Sequence, residues 1–571
     1  MIHKFFIVLF LFTIYEGPEK TNILKPPLDI PLILSANFGE LRPDHFHSGV
    51  DFKTGGTTGK TVHAASDGFI YRIFVSPTGF GKALYIRHEN GLSTVYGHLS
   101  LFTPLIEEYV KEHQYDKKSF AVNLFPEKDQ FRVMEGDLIG YTGNTGSSMG
   151  PHLHFEVRKS SGEIPLDPLQ FYNIEDNIKP VINSVAIYPA NKRSEVNGRR
   201  EKLVLKTGGN RGNYSIGNAS PVRVSGPVGF GINTHDYLDN SWNTCGVRII
   251  NLKVDNKLIY SHAIDEFSFS ETRYINSHID YEEKMRSSSY IQKTFLEPNN
   301  KLSIYNHVIN KGIVEFNDGK VHEIEIGVAD FKDNYSSVIF KIISEPGRLN
   351  EEVREEDGLL MPFDQKNEIK HHDINLSFPV NCFYDSVYFA YRKAPSHKDG
   401  LYSDLHFVHN KYTPVHRAFN IAIKASGEIS FELRNKLCLV YIDEDDRDLI
   451  SYAGGNWNNG FVEGSVSDLG IYAIGIDTIA PNVSPLRFRD NDTLNENSEL
   501  RFVINDNFSG ISDYKAYIDG SWALFEWDPK NSLLTYRPDE KYLQKGKKHS
   551  LELSVWDNRA NETRLHLDFY W

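Results

Sequence analysis

The strongest constraint on the fold is a pattern that the chain uses twice. Asp176-Asn177-Ile178-Lys179-Pro180-Val181 matches Asp477-Thr478-Ile479-Ala480-Pro481-Asn482 in outline. Gly246-Val247, followed by Leu252 to Asn256, matches Gly510-Ile511 followed by Ala516 to Gly520, with nine positions from Gly to Asp in both. Val328-Ala329-Asp330 with Asn334 matches Val555-Trp556-Asp557 with Asn561. Three landmarks in one order mean one β-module used twice. Alternating strand-like runs between Asp/Asn/Gly turns predict an immunoglobulin-like sandwich for each copy, at 177–348 and 476–571. Asp330 and Asp557 recur at equivalent positions, so they read as turn-setting rather than catalytic residues. Between the copies, 349–475 reads as a further β-rich unit, and Glu351 to Asp357 as its charged linker.

Composition agrees with this plan. At roughly 150 residues per domain, 571 residues make about four domains. Aromatics reach 13% against 5 Met, a balance that favours strands over helical bundles. The formal charge of −14 argues against a nucleic-acid partner, which would need a basic stripe. Cys245, Cys382 and Cys438 are too few for a disulfide framework.

Lys4 precedes an apolar run from Phe5 to Tyr15, followed by Glu16-Gly17-Pro18. The run is shorter than the roughly 20 residues of a membrane span and fits the core of a secretory signal, although no A-x-A cleavage pattern follows. Residues 1–20 are therefore expected to be a signal peptide. No other run approaches transmembrane length. An exported protein is expected, in the periplasm or cell envelope of a Gram-negative bacterium.

Residues 21–176 read as short strands broken by glycine turns: Gly68 to Val75, Ala83 to His88, Ser93 to His98 and His152 to Arg158. Pro104 to Lys111 breaks that rhythm with apolar residues at helical spacing. Three stretches carry chemistry: His47-Ser48-Gly49-Val50-Asp51, Tyr96-Gly97-His98-Leu99, and Gly146 to Val157 containing Pro151-His152-Leu153-His154-Phe155-Glu156. His152 and His154 share one face of a strand, and a glycine turn delivers them. Two imidazoles and a carboxylate match the three-ligand set of a catalytic zinc, which keeps a fourth position open for water.

These stretches, together with Gly59-Lys60-Thr61-Val62-His63-Ala64 and Glu135 to Gly140, resemble in order the motifs of the lysostaphin-type (LytM-like) zinc endopeptidases. The resemblance spans about residues 35–171. It implies an antiparallel β-domain in which His47, Asp51 and His154 bind one Zn²⁺, while His98 and His152 handle protons and the developing oxyanion. Its substrate would be the stem peptides or cross-links of peptidoglycan. No H-E-x-x-H helix supplies a glutamate base, so histidines must do that work. A lone strand histidine is more often packed or exposed than ligating, and His63, His88 and His113 fall to that reading. His45 competes with His47, but only His47 has Asp51 at the motif spacing.

Two departures from the family pattern stand out. Residues 100–132 form a long connection containing the expected helix, read as a folded lid or groove wall. No tyrosine lies between Asn37 and His47 to add a hydroxyl near the oxyanion. Elsewhere, Asp443 to Asp448, and Asp236 with Asp239 and Asn240, lack EF-hand spacing and read as solvated acidic loops. His371-His372-Asp373 stays unassigned.

The expectation is a mostly β, exported zinc metalloendopeptidase whose C-terminal β-domains position it on the wall or on an envelope protein partner. The alternatives are a non-catalytic scaffold that activates another cell-wall hydrolase, and an envelope binding or adhesion protein.

Overall fold

Strands dominate every part of the chain in the computed structural model, which describes residues 24–217, 221–346, 358–396, 398–496 and 498–571. The expected signal segment 1–20 and the charged stretch 351–357 lie outside the described residues. The chain is mostly β, with one N-terminal β-domain and several β-sheet domains after it. Among the described residues, no helix is long and apolar enough to cross a membrane.

The backbone of the first sheet runs, in spatial order, Leu34–Ala36, Val50–Lys53, His152–Lys159, Leu92–Phe102, Lys82–His88, Gly68–Val75 and Val122–Leu124, with antiparallel neighbours throughout. All four expected strands are present, and the one expected at Ser93 to His98 extends to Leu92–Phe102. The period of two in H-L-H-F-E-V decides the site. Leu153, Phe155 and Val157 are fully buried in the core beneath the sheet, so His152, His154 and Glu156 must share the opposite face. That core continues past residue 176 and takes in Leu238, Cys245 and Phe331.

The helix expected from Pro104 to Lys111 runs over Pro104–Lys117, opened by a proline in its first turn and closed by Lys118 in the left-handed region. It does not wall the histidine cleft, so the expected lid is corrected. Instead it docks the last unit: Tyr115 stacks flat on Tyr542 at 3.5 Å, Lys541 pairs with Glu108 and Glu112 at 3.2 and 2.8 Å, and Lys111 pairs with Asp539.

The internal repeat extends to individual hydrogen bonds. Asp330 Oδ1 accepts from the Lys332 and Asn334 amides, and Asn334 Nδ2 donates to Asp330 Oδ2 and the Asp176 carbonyl. Asp557 Oδ1 accepts from the Arg559 and Asn561 amides, and Asn561 Nδ2 donates to Asp557 Oδ2 and the Asp477 carbonyl. Both aspartates therefore set turns, as their recurrence predicts. Between the copies, two five-stranded sheets enclose a core that includes Leu376, Phe378, Ile421 and Leu439. All three cysteines are buried free thiols.

His262 and His278 lie fully buried where the second unit meets the N-terminal domain. Burial lowers His278 from 6.5 to about 4, although Gln292 hydrogen-bonds to it, and burial also depresses His262 well below its usual range. A histidine whose folded pKa is depressed contributes stability above its unfolded pKa, and that stability is lost as pH falls from 6.5 towards 4. His278 alone is expected to cost about 2 kcal/mol at pH 5. Denaturant midpoints at pH 7.5 and pH 5 check this: wild type should lose more than His278→Gln, and equal losses would refute it.

Candidate metal centre

Strand register builds the site. His154 pairs with Asp51 on one side and with Gly97 on the other, and the turn before Val50–Lys53 brings His47 over the same face. Gly97 leaves room opposite His154, where a Cβ would make a tight contact of 3.3 Å with the His154 Cβ.

Three donor atoms form a closed triangle. His47 Nε2 is 3.1 Å from His154 Nδ1 and 3.2 Å from Asp51 Oδ1, and His154 Nδ1 is 2.9 Å from Asp51 Oδ1. A tetrahedral zinc with ligand bonds of about 2.0–2.1 Å would have donor-to-donor edges of ~3.3 Å. The triangle is within a few tenths of an ångström of that spacing, and its nitrogen and carboxylate donors suit zinc. The three side chains are buried and can together hold a metal ion.

The outer partners fix which nitrogen faces the triangle. His47 Nδ1–H donates to the Asn37 carbonyl at 2.8 Å, leaving the Nε2 lone pair free. His154 Nε2–H donates to Glu156 Oε1 at 2.9 Å, which turns Nδ1 towards Asp51 and the triangle. Glu156 is wholly buried, and Arg158 and Ser48 hold its carboxylate, both at 2.5 Å. Burial pushes the Glu156 carboxyl up, but Arg158 and His154 outweigh it and bring it down to about 2. Burial likewise opposes a charged Asp51, yet His47, His152 and His154 hold it well below its usual range. Motif reading assigned Glu156 no role, though its position two residues after His154 was the signal available. Such partners typically contribute 10–100-fold in metal affinity. Glu156→Gln is expected to lose that much while still folding; chelator competition measures it, and a change below twofold would rule out an orienting role for Glu156.

His98 and His152 stand beside the triangle, their ring centroids 4.8 Å apart. His98 Nδ1–H donates to the Thr145 carbonyl and His152 Nδ1–H to the Gly150 carbonyl, both at 2.8 Å, so each ring is anchored to the backbone through Nδ1. His152 Nε2 lies 3.4 Å from Asp51 Oδ1. Burial first, then His154 and His152, lower His98 to about 3, which keeps it neutral. His98 also has a φ of +58°, a left-handed conformation that a non-glycine residue holds only under constraint. The last unit reaches this spot: Lys530 Nζ donates to the carbonyls of Asn144 and Gly146, on either side of Thr145.

All five histidine and aspartate side chains line an open cleft of about 1250 Å³. Its walls include Phe74, Phe80, Tyr85 and Arg72 from the first domain, and Trp242 and Phe269 from the second unit. Lys53 Nζ lies 4.3 Å from the Trp242 ring centre, and the Arg158 guanidinium lies 4.7 Å from that of Phe269. No motif pointed to Trp242 or Phe269, because folding alone brings them there.

The other histidines serve structure. His45 is half-exposed and bonded to Asp44, and His63 bridges Asp29 and the Gly136 carbonyl. His88 joins Thr94 to the Asp67 carbonyl, and His113 bonds within the helix to the Tyr109 carbonyl. His371 stacks on Tyr391, His372 meets Lys424 and Asp373 pairs with Lys393. In the Asp443 to Asp448 loop, Asp445 to Asp448 are exposed, while Asp443 and Glu444 are half-buried. Asp236 departs from the expected solvated loop: it is 1% exposed, because it lies near the end of the strand Val222–Tyr237, paired with the buried Cys245.

Residues 45–115 and 120–168 match the family described as Peptidase family M23, and residues 359–477 match the Zu5-like domain. The DD-carboxypeptidase/endopeptidase Mpg of Neisseria meningitidis is 35% identical over 112 residues, 20% of this chain and 20% of that protein. The peptidoglycan DD-endopeptidase ShyC of Vibrio cholerae is 30% identical over 143 residues, 24% of this chain and 27% of that protein. The chain thus matches between a fifth and about a quarter of the length of these relatives. Among solved structures, the catalytic domain of lysostaphin from Staphylococcus simulans is 25% identical and aligns with a TM-score of 0.19, over 24% of this chain and 91% of that one. The N-terminal domain of this chain is a peptidase family M23 domain of the LytM type, carried on a chain that also contains a Zu5-like domain.

Proposed function

We propose that this chain is an exported zinc metalloendopeptidase that hydrolyses peptide bonds in peptidoglycan stem peptides or cross-links. The observation that carries this reading is the triangle of His47 Nε2, Asp51 Oδ1 and His154 Nδ1 in an open cleft, beside the imidazoles of His98 and His152. Mpg and ShyC, whose names record peptidoglycan or DD-peptide cleavage, support the substrate class.

Zinc held by these three residues would supply Lewis acidity at a peptide carbonyl and acidify water towards neutral pKa. His98 Nε2, neutral and anchored through Nδ1, accepts the proton that water gives up. His152, its ring beside that of His98, acts through Nε2–H, hydrogen-bonding to the developing oxyanion or passing that proton to the leaving amine. Phe80 stacks on His154 at 4.9 Å and excludes water from one side of the ligand set. The cleft's aromatic walls, with Arg72 and Arg158 among them, receive an extended peptide bearing carboxylates. The downstream β-domains position the enzyme on the wall or on an envelope protein.

Digestion of purified sacculi, followed by chromatography and mass spectrometry of the muropeptides, tests the reading. Cross-linked species should decline as shortened or uncross-linked peptides appear. Sacculi bound but left chemically unchanged by zinc-loaded protein would instead favour a scaffold or binding role.

A further inference from the structure

Outside the cleft, two groups of carboxylates recur at matched places in the repeated module. Asp176, Asp236 and Asp330 each place an oxygen within 4.8 Å of the other two, and so do Asp477, Asp506 and Asp557. In both modules one aspartate precedes the first strand, one ends or follows a strand, and one closes the turn described above.

Clustered acids alone would indicate only turns, but here buried oxygens are left over. Asp236 is 1% exposed and its Oδ1 has no hydrogen-bond partner. Asp176 is 6% exposed and its Oδ2 has none, although its Oδ1 accepts from the Ile178 amide. In the second group Asp506 Oδ1 is likewise unpartnered, and so is the Oγ of Ser509, a residue 5% exposed whose amide donates to Asp477 Oδ2. Among the described residues no lysine or arginine forms an ion pair with any of the six aspartates. The Arg559 guanidinium, close to Asp557 in sequence, is spent on the carbonyls of Leu437 and Gly455 and on Tyr452. Burying like charges with unmet acceptors is costly unless a cation joins them. Burial, with mutual repulsion adding to it, pushes Asp176 up to about 7 and Asp236 up to about 8.

We propose that Asp176, Asp236 and Asp330 bind a calcium ion, and that Asp477, Asp506 and Asp557 bind a second one in the repeated module. An all-oxygen donor set excludes the nitrogen and sulfur preference of zinc, and calcium accepts irregular oxygen geometry that magnesium does not. Both sites sit at seams. Asp176 lies where the peptidase domain joins the second unit, and Asp236 is followed by the turn that carries Trp242 to the cleft, with Ser241 Oγ bonded to the Leu34 carbonyl. Asp477 lies where the last unit begins. Calcium would stiffen both joints and hold one wall of the cleft in place.

Equilibrium dialysis of the zinc-loaded full chain against calcium, with bound calcium counted by atomic emission, tests this at about 5 mM free ion, above the ~10⁻³ M limit of extracellular sites. Wild type should hold two calcium ions, Asp236→Asn and Asp506→Asn one each, and the double variant none. Calcium should also slow tryptic cleavage near 176 and 477 in wild type and not in the double variant. No calcium on wild type, which would leave shared protons between the carboxyls, overturns the proposal; so does equal binding by wild type and double variant. Equal occupancy by magnesium would overturn the choice of ion. Should Asp236→Asn fail to fold, Asp506→Asn decides alone from its separate core, and retention of both ions there counts against the proposal.

Discussion

His154→Ala is expected to remove the metal and, with it, all peptide release above background. His154 supplies one edge atom to both other donors, so its loss leaves two ligands and a gap. Outer partners alone are worth about 10–100-fold in affinity, so a direct ligand should cost at least about 10³-fold. The fold should survive: Glu156 keeps Arg158 and Ser48 as partners, and Leu153 and Phe155 still fill the core. Zinc content and sacculus digestion, measured on the same preparation, separate the two claims. Metal retained at wild-type affinity would eliminate the ligand set; metal lost with muropeptide release unchanged would eliminate the metal-dependent mechanism.

His98→Asn should give the second-largest effect and the opposite signature. Asparagine tolerates the left-handed backbone at this position but cannot accept a proton, so the variant isolates proton transfer from strain. A positioned general base contributes about 10²–10⁴-fold, so kcat should fall by that much with zinc content unchanged. The base assignment fails if kcat stays within threefold of wild type. Loss of zinc would mean that His98 supports the metal centre instead.

His47, Asp51 and His154 could be singled out as candidate ligands because the stretches that hold them resemble family motifs that are local in pattern. A strand with period two puts His152, His154 and Glu156 on one face wherever the strand goes, and a glycine turn before it marks the delivery point. The helix was legible over 104–111 for the same reason, since its spacing is internal to one element, and the structure extends it to Lys117. Its role was not. Only the folded chain brings Tyr115 onto Tyr542, and so turns an expected lid into a dock.

Glu156 and Asp236 show where pattern reading stops. Each looks like an ordinary acidic residue until burial is known: one is neutralised by Arg158, and the other faces two further carboxylates with no ion pair among the described residues. Sequence by itself determined the β character, the peptidase motifs and the duplicated module, because these rest on short local patterns, and the candidate ligands followed from the resemblance those motifs carry. Tertiary structure alone decided which nitrogens of His47 and His154 face Asp51, that Trp242 and Phe269 wall the cleft, and that two trios of aspartates converge. Those depend on contacts between residues tens to hundreds of positions apart, and a linear pattern does not carry the distances that govern them.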